Sequence, residues 1–237
     1  MYLTFLMAFC VVTAPAAQVS STTTATSQDI DFSAFTRETQ QMVSQAGYVG
    51  LIWWIPAQYF ELSAERNGMS PDKAQERFGG LKKYTIVAVA VGKIGVGNVN
   101  WFSEPEIRDN IRLRDAEGNS YSPQQELAGD AKGLASIFRP ASMNITGSMG
   151  QNTQLFFFPA ANKMAKPIAD PLVPGSFSVV ITKLIAGTDQ VLEWKLPLTA
   201  LTPPKYCPVG KERVQANWKY CPWHGVRLDE PAKAPKE

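Results

Sequence analysis

Two copies of a cysteine–proline pattern lie near the C-terminus of this 237-residue chain, and they hold the residues best suited to chemistry. Cys207 begins the first copy, and Cys221 begins the second after a ten-residue spacer. His224, the only histidine in the chain, follows Cys221 by three residues. A Ser-His-Asp or Cys-His catalytic site would have to use this one imidazole. A metal-hydrolase triad of the usual His-rich kind is excluded, because it needs more than one histidine.

The paired pattern resembles a zinc ribbon. It reads Cys207-Pro208-Val209-Gly210 in the first copy and Cys221-Pro222-Trp223-His224 in the second. In a zinc ribbon, two such turns (knuckles) each offer two ligands to one tetrahedral metal ion. The resemblance implies that Cys207, Cys221 and His224 occupy ligand positions. The fourth position is Gly210, which has no side chain, so the pattern departs from a closed four-coordinate zinc site. We therefore expect no cofactor, with zinc as the alternative.

A disulfide between Cys207 and Cys221 is the expected staple of this segment. Loss of Cys10 with an export signal would leave an even number of cysteines in an oxidising compartment. The knuckles of a ribbon also bring their leading cysteines close together. Closing a loop of about 15 residues contributes ~3 kcal/mol in the chain-entropy model, which is enough to decide whether so small an appendage folds. A metal site or two free thiols are the alternatives. Trp218, Tyr220 and Trp223 are expected to form the small core of the segment.

The N-terminus predicts export. Residues 1–17 carry no charge, residues 3–12 form an apolar run, and residues 14–16 match an A-x-A cleavage pattern, although no basic residue precedes the run. The run is too short to span a bilayer core of ~30 Å as a helix. We expect a signal peptide over 1–17, a flexible Ser/Thr-rich spacer over 18–30, and a secreted or periplasmic protein with no transmembrane segment after cleavage.

Apolar periodicity predicts a mainly β domain of the α+β class over 31–202, with short helices at its start. The predicted helices cover 33–46, 57–67 and 70–78. The predicted strands cover 48–55, 84–91, 110–114, 119–121, 134–138, 153–158, 177–185 and 191–196. Pro203-Pro204 then separates a ribbon-like cysteine module over 203–229, and a disordered tail is expected over 230–237.

The stretch from Tyr84 to Leu198 resembles the immunoglobulin-like β-sandwich domains of uncharacterised exported bacterial proteins. The matching features are the long β-branched strand at 84–91, the L-R-D-A-E-G-N-S-Y hairpin at 113–121, the F-F-F-P segment at 156–159 and a closing hairpin. The resemblance implies an extracytoplasmic binding or structural module and transfers no catalytic residue.

Other candidate motifs lack their partners. Ser70-Pro71-Asp72-Lys73 spells S-x-x-K, but the S-D-N and K-T-G strings of penicillin-binding proteins do not occur, so this motif is interpreted as a helix start. The glycines after the strand at 84–91 are followed by no predicted helix, so they indicate a loop and not a dinucleotide site. Carboxylate-based hydrolysis is left open by four acids, which are Glu104, Glu106, Asp109 and Asp115.

The net charge of +2 and the spread of basic residues argue against a nucleic-acid partner. The leading hypothesis is a non-enzymatic exported protein, a binding or structural module with an unknown protein or cell-envelope partner. The alternatives are a zinc-binding protein using the C-terminal module, and a carbohydrate-binding or cell-wall-associated module using the aromatic rings of Trp53, Trp54 or Trp101.

Overall fold

The computed structural model describes residues 30–146, 148–202, 205–214 and 218–228. The predicted signal peptide (1–17) with Cys10, almost all of the predicted spacer (18–30), and the predicted tail (230–237) lie outside these residues. Within the described residues, no helix combines the length and the apolar character needed to cross a membrane.

Helices and strands alternate along the described chain. The helices are α1 (Phe32–Thr39), α2 (Ala57–Arg66), α3 (Pro71–Phe78), α4 (Glu104–Asn110), α5 (Gly129–Thr146) and α6 (Ser148–Gln151), with 3₁₀ turns at Gly79–Lys83 and Thr199–Leu201. The strands are β1 (Gln40–Met42), β2 (Tyr48–Ile55), β3 (Tyr84–Ile94), β4 (Val99–Trp101), β5 (Ile111–Arg114), β6 (Ser120–Tyr121), β7 (Gln154–Pro159), β8 (Gly175–Ile185), β9 (Thr188–Leu196), β10 (Lys205–Tyr206) and β11 (Arg213–Val214).

Two antiparallel sheets form the body of the molecule. In the first sheet, β3 is the central strand, and β2 pairs along one of its edges. The other edge pairs with β7 over residues 84–89 and with β4 over residues 92–94. The outer edge of β2 pairs with β1. The second sheet has the order β6-β5-β8-β9. The structure therefore confirms the antiparallel pairing and the combination of helices with strands, although helices take a larger share than the mainly β prediction allowed.

The main core lies between the two sheets. Because side chains alternate across a strand, Ile52 and Trp54 of β2 point to this core together with Val87 and Val89 of β3. The ring of Trp54 meets Phe177 of β8 edge-on at 4.8 Å between centroids. Phe177 in turn stacks on a ring of β9, that of Trp194, at 5.2 Å. This aromatic chain joins the sheets and contributes large apolar areas to the core.

A smaller apolar cluster covers the opposite face of the first sheet. It joins β3 and β7 to α2, to the 3₁₀ turn at Gly79–Lys83 and to α5, through Ala57, Leu81, Ile86, Ala131, Leu134 and Phe157. The predicted strand over 134–138 is therefore wrong, because this segment belongs to α5. Ala131 and Leu134 are three residues apart, a spacing that places both on one helix face.

One predicted boundary is also wrong, and one helix was not predicted. The first helix stops at Thr39 instead of continuing to residue 46, because Gln40–Met42 pair with β2 as an edge strand. The loop predicted at the glycines is confirmed between β3 and β4, but the helix that follows β4, α4, was not predicted. Its start has a capping box, in which the Glu106 carboxylate accepts a hydrogen bond from the Ser103 N–H at 2.8 Å and the Ser103 side chain accepts one from the Glu106 N–H.

The predicted β5–β6 hairpin is confirmed, and a buried carboxylate holds its turn. Asp115 accepts hydrogen bonds from the Asn119 N–H at 2.8 Å, the Asn119 amide at 2.9 Å and the Tyr121 hydroxyl at 2.7 Å. Burial raises the pKa of Asp115, but these hydrogen bonds outweigh it and hold the pKa below its ordinary value. Burial and the bond to Asp115 raise the pKa of Tyr121 to about 12.

We expect Tyr121→Phe to lower the free energy of unfolding at neutral pH by about 1.5–3 kcal/mol, the usual value of a hydrogen bond to a charged group. The folded-state pKa of Asp115 is depressed, so its contribution is complete above the unfolded-state pKa and is lost as pH falls through the folded-state pKa. The gap between wild type and variant should therefore shrink at acid pH. Urea unfolding across pH measures this, with Tyr48→Phe as a control at another half-buried tyrosine. A gap that stays constant with pH would contradict this role of Asp115.

Candidate metal centre

The C-terminal module begins with a tight turn closed by two backbone hydrogen bonds. The Lys211 N–H donates to the Cys207 carbonyl at 2.9 Å, and the Cys207 N–H donates to the Glu212 carbonyl at 3.0 Å. Lys211 has a φ of 61°, a left-handed conformation that is uncommon outside glycine. The chain thus reverses directly after Gly210 and brings residue 212 back beside Cys207.

A second turn repeats the first. The Gly225 N–H donates to the Cys221 carbonyl, and the Cys221 N–H donates to the Val226 carbonyl, both at 2.8 Å. Gly225, with a φ of 63°, takes the place of Lys211, and Val226 takes that of Glu212. The two turns therefore have one backbone design, but they carry different side chains.

Four ligand-type side chains meet between the two turns. The Sγ atoms of Cys207 and Cys221, a carboxylate oxygen of Glu212 and a ring nitrogen of His224 all lie within 4.8 Å of one another. His224 Nδ1 is 3.4 Å from Cys207 Sγ, 3.5 Å from Cys221 Sγ and 3.0 Å from Glu212 Oε1. Cys221 Sγ is 3.1 Å from the same carboxylate oxygen. The structure thus brings together all three residues that the sequence pattern proposed, and adds Glu212.

The two distances from the imidazole nitrogen to the sulfur atoms fit a tetrahedral ion. Zinc–sulfur bonds of ~2.3 Å and zinc–nitrogen bonds of ~2.0 Å place tetrahedral sulfur and nitrogen ligands about 3.5 Å apart. The donor set fits as well, because thiolate, imidazole and carboxylate are all common zinc ligands. An ionised carboxylate has no proton to share, so a cation between the four atoms would stabilise a cluster that consists largely of electron-pair donors.

Gly210 explains how a carboxylate enters the site. A Cβ atom at this position would lie 2.0 Å from Glu212 Oε2 and 2.6 Å from His224 Cε1. The missing side chain therefore leaves the space that the Glu212 carboxylate occupies. Glu212 lies outside the Cys-Pro-x-x pattern, so that pattern alone does not predict it; a detectable signal is the acid two residues beyond the empty ligand position.

Two groups of the cluster, Glu212 and Cys221, have shifted pKa values. A hydrogen bond from its own backbone N–H, followed by one from the Cys221 thiol, holds the pKa of Glu212 below its ordinary range. Burial, followed by the neighbouring Glu212 carboxylate, raises the pKa of Cys221. Without an ion, an ionised carboxylate accepts a hydrogen bond from a protonated thiol, so an ion that binds Cys221 must displace this proton.

The described residues of the module form only a small apolar core. Among them, the buried residues are Cys207, Val214, Cys221 and Leu228, with Trp218 and Val226 packed against them. Trp218 thus belongs to the core as predicted, but Tyr220 and Trp223 are exposed, and their predicted place in the core is wrong. Two of the four buried side chains are cysteines, so the state of the two sulfur atoms must dominate the stability of the module.

Cys207 and Cys221 are free thiols in the structure. The predicted disulfide between them stays a prediction, which the experiments below separate from metal binding.

The aromatic candidates are not brought together on one surface. Trp54 is 1% exposed and belongs to the main core. Trp53 is half-buried, and its Nε1–H donates a hydrogen bond to Thr39 Oγ1 at 3.0 Å. Trp101 is also half-buried, and it lies beyond the opposite edge of β3, paired with Gly92. A platform of stacked rings would need two of these side chains side by side.

Three of the four candidate acids have local structural roles. Glu104 accepts a hydrogen bond from Arg108 within α4, at 2.5 Å. Glu106 caps the same helix, and the bonds from Ser103 lower the pKa of its carboxyl group. Asp115 holds the β5–β6 turn. Asp109 is exposed at the surface of α4.

Comparison of the chain with protein families, curated proteins and solved structures finds no match.

Proposed function

We propose that this protein binds one zinc ion through its C-terminal module, with Cys207, Glu212, Cys221 and His224 as ligands. The observation that supports the proposal is the convergence of four ligand atoms within 4.8 Å on two turns of the same backbone design. The carboxylate replaces the ligand that Gly210 cannot provide.

The proposed role of the ion is structural. Catalytic zinc sites keep one position open for water or substrate, whereas structural sites are closed by four protein ligands. Here two cysteines, one histidine and one glutamate would fill all four positions. Each turn supplies two of them, so the ion would cross-link the turns of a module whose core is very small.

For the two-sheet body, the proposal keeps the leading hypothesis from the sequence. The body would be an exported, non-enzymatic binding or structural module, with an immunoglobulin-like arrangement as its finer classification. Two packed antiparallel sheets support this classification at the level of architecture. In the carbohydrate-binding alternative, either Trp53 or Trp101 would be a single contact residue, because the two lie on strands at opposite edges of β3.

Metal analysis and intact mass test the proposal together. We expect protein purified without chelators to contain about one equivalent of zinc, and its mass after zinc removal to match two reduced cysteines. A protein free of zinc whose mass is lower by the two hydrogens of a Cys207–Cys221 disulfide would contradict the proposal and establish the alternative staple.

The carboxylate ligand is tested by Glu212→Gln, which keeps the shape of the side chain but removes its charge. We expect zinc affinity, measured by competition with a chelating dye, to fall by more than about tenfold, because loss of outer-shell partners alone costs 10–100-fold. Glu126→Gln is the matched control at an exposed glutamate outside the module. Equal affinities for the two variants would exclude Glu212 as a ligand.

A further inference from the structure

The tips of the two turns expose large apolar side chains. Val209 is 59% exposed and Trp223 is 65% exposed, and they occupy the same position of their respective turns, two residues after each cysteine. Tyr220, directly before the second turn, is 58% exposed. The described part of the module thus leaves three sizeable apolar side chains in solvent.

Two of the exposed side chains flank the contact between the two turns. The two turns touch where Gly210 faces His224, since a Cβ at Gly210 would be 2.6 Å from the imidazole. Val209 and Trp223 directly precede these two contacting residues in the chain. The Trp223 ring also lies 6.0 Å from the half-buried ring of Trp218, which supports it from the core side.

The two turns and the residues between them carry more basic than acidic residues, although the acids Asp229 and Glu230 follow them directly in the chain. The whole chain has a net charge of +2, but residues 205–228 contain five basic residues and one acid. The acid is Glu212, which belongs to the ligand cluster. Lys211, Lys219 and Arg227 are exposed, and each lies within four residues of an exposed apolar side chain. A bound zinc ion would offset the two thiolates, so the module would keep its positive charge.

We propose that the tips of the two turns dock on an anionic lipid surface. Tryptophan and tyrosine favour the interface between headgroups and acyl chains, and exposed aliphatic side chains gain by entering it. Lysine and arginine beside them attract anionic headgroups. The inference rests on the proposed function, because zinc would hold the two tips side by side.

Val209 favours a lipid surface over a single-stranded nucleic acid. Nucleic-acid platforms combine basic grooves with aromatic rings on which bases stack. An aliphatic side chain offers no such stacking, yet Val209 stands at the position equivalent to Trp223. Both side chains can enter the boundary between headgroups and acyl chains, so one lipid surface accounts for the exposure of both Val209 and Trp223.

Vesicle co-sedimentation of the purified zinc-loaded protein tests the inference. We expect binding to vesicles of mixed phosphatidylglycerol and phosphatidylcholine, weakening as salt rises, and little binding to phosphatidylcholine alone. Lys211→Gln combined with Lys219→Gln should reduce binding by about 25-fold, since each basic residue near the surface contributes about fivefold. Val209→Ser combined with Trp223→Ser should also reduce it.

Matched controls come from the body of the protein. Lys93→Gln with Lys195→Gln removes two exposed charges, and Val191→Ser changes an exposed valine; all three should leave binding unchanged. Zinc content is measured for every variant, which separates loss of the surface from loss of the site. The docking proposal would be overturned if the zinc-loaded protein did not bind anionic vesicles, or if it bound a single-stranded oligonucleotide instead. It would also be overturned if the control variants lost vesicle binding to the same extent as the turn variants. A protein that contains no zinc would instead overturn the proposed function.

Discussion

Cys221→Ser is expected to reduce zinc affinity by at least about two orders of magnitude and to unfold the C-terminal module. Structural zinc binds zinc-finger peptides with an apparent free energy of about 10–16 kcal/mol, or roughly 3 kcal/mol for each of four ligands. The same substitution removes one of the four buried side chains of the module core. Metal analysis gives the loss of zinc, and hydrogen exchange of peptides covering 205–228 gives the loss of structure.

The body of the protein should not respond to this change. Among the residues that the structure describes, the buried ones of the main core include none from the module, so thermal unfolding of the two-sheet body should stay within error of wild type. Chelation of the wild-type protein should reproduce the exchange pattern of the variant, whereas a reducing agent without chelator should leave the module protected. The opposite pair of results, protection lost on reduction and kept on chelation, would show that a disulfide holds the module.

The second expected result concerns Gly210. Gly210→Ala should impair zinc binding strongly, because the added Cβ would lie 2.0 Å from Glu212 Oε2 and 2.6 Å from His224 Cε1. Both ligands would have to move, and a metal site depends on ligand positions to within a few tenths of an ångström. Zinc affinity by dye competition measures the effect. Gly133→Ala is the control, since a Cβ there meets nothing within 4 Å.

A double variant tests the reason for that effect. Glu212→Ala removes the carboxylate, and Gly210→Cys then places a thiolate at the empty knuckle position. The new Cβ still lies 2.6 Å from His224 Cε1, so the imidazole must shift to remain a ligand. We expect Gly210→Cys with Glu212→Ala to recover zinc binding that Glu212→Ala alone loses, and cobalt-substituted protein should gain a stronger thiolate-to-metal absorption band. Failure of the double variant to bind better than Glu212→Ala would show that the carboxylate does not substitute for a ligand at residue 210.

The local sequence pattern predicts a strand or helix correctly where burial of an apolar run is the dominant effect. The strands at 48–55 and 84–91 are confirmed as β2 and β3, because apolar, β-branched runs bounded by turn residues favour buried strands. The segment at 134–138 fails because a short apolar run suits a helix as well as a strand, and only contacts with Leu81 and Phe157 decide it. The end of α1 is likewise decided by the pairing of Gln40–Met42 with β2. The residues around position 40 alone do not predict this pairing.

The candidate site was predictable only in part. The cysteine–proline repeat identifies Cys207, Cys221 and His224, because a tight turn needs its residues at fixed spacing. Glu212 follows the Cys-Pro-x-x pattern, and two local features bring its carboxylate to the other three ligands. One is the left-handed conformation of Lys211, and the other is the space left by the missing side chain of Gly210. The exposure of Tyr220 and Trp223 was also not predictable, since composition does not distinguish an aromatic residue of the core from one at the surface.

The position of the four ligands along the chain has a consequence for the order of folding. All of them fall in one run, 207–224, so the loop that a metal ion closes is short and its entropy cost is small. The second sheet instead needs β5 to meet β8, with Ile111 opposite Ile181, and such distant pairing is slow. The last segment of the chain can therefore acquire its structure before the sheets that precede it have assembled, as soon as an ion is present.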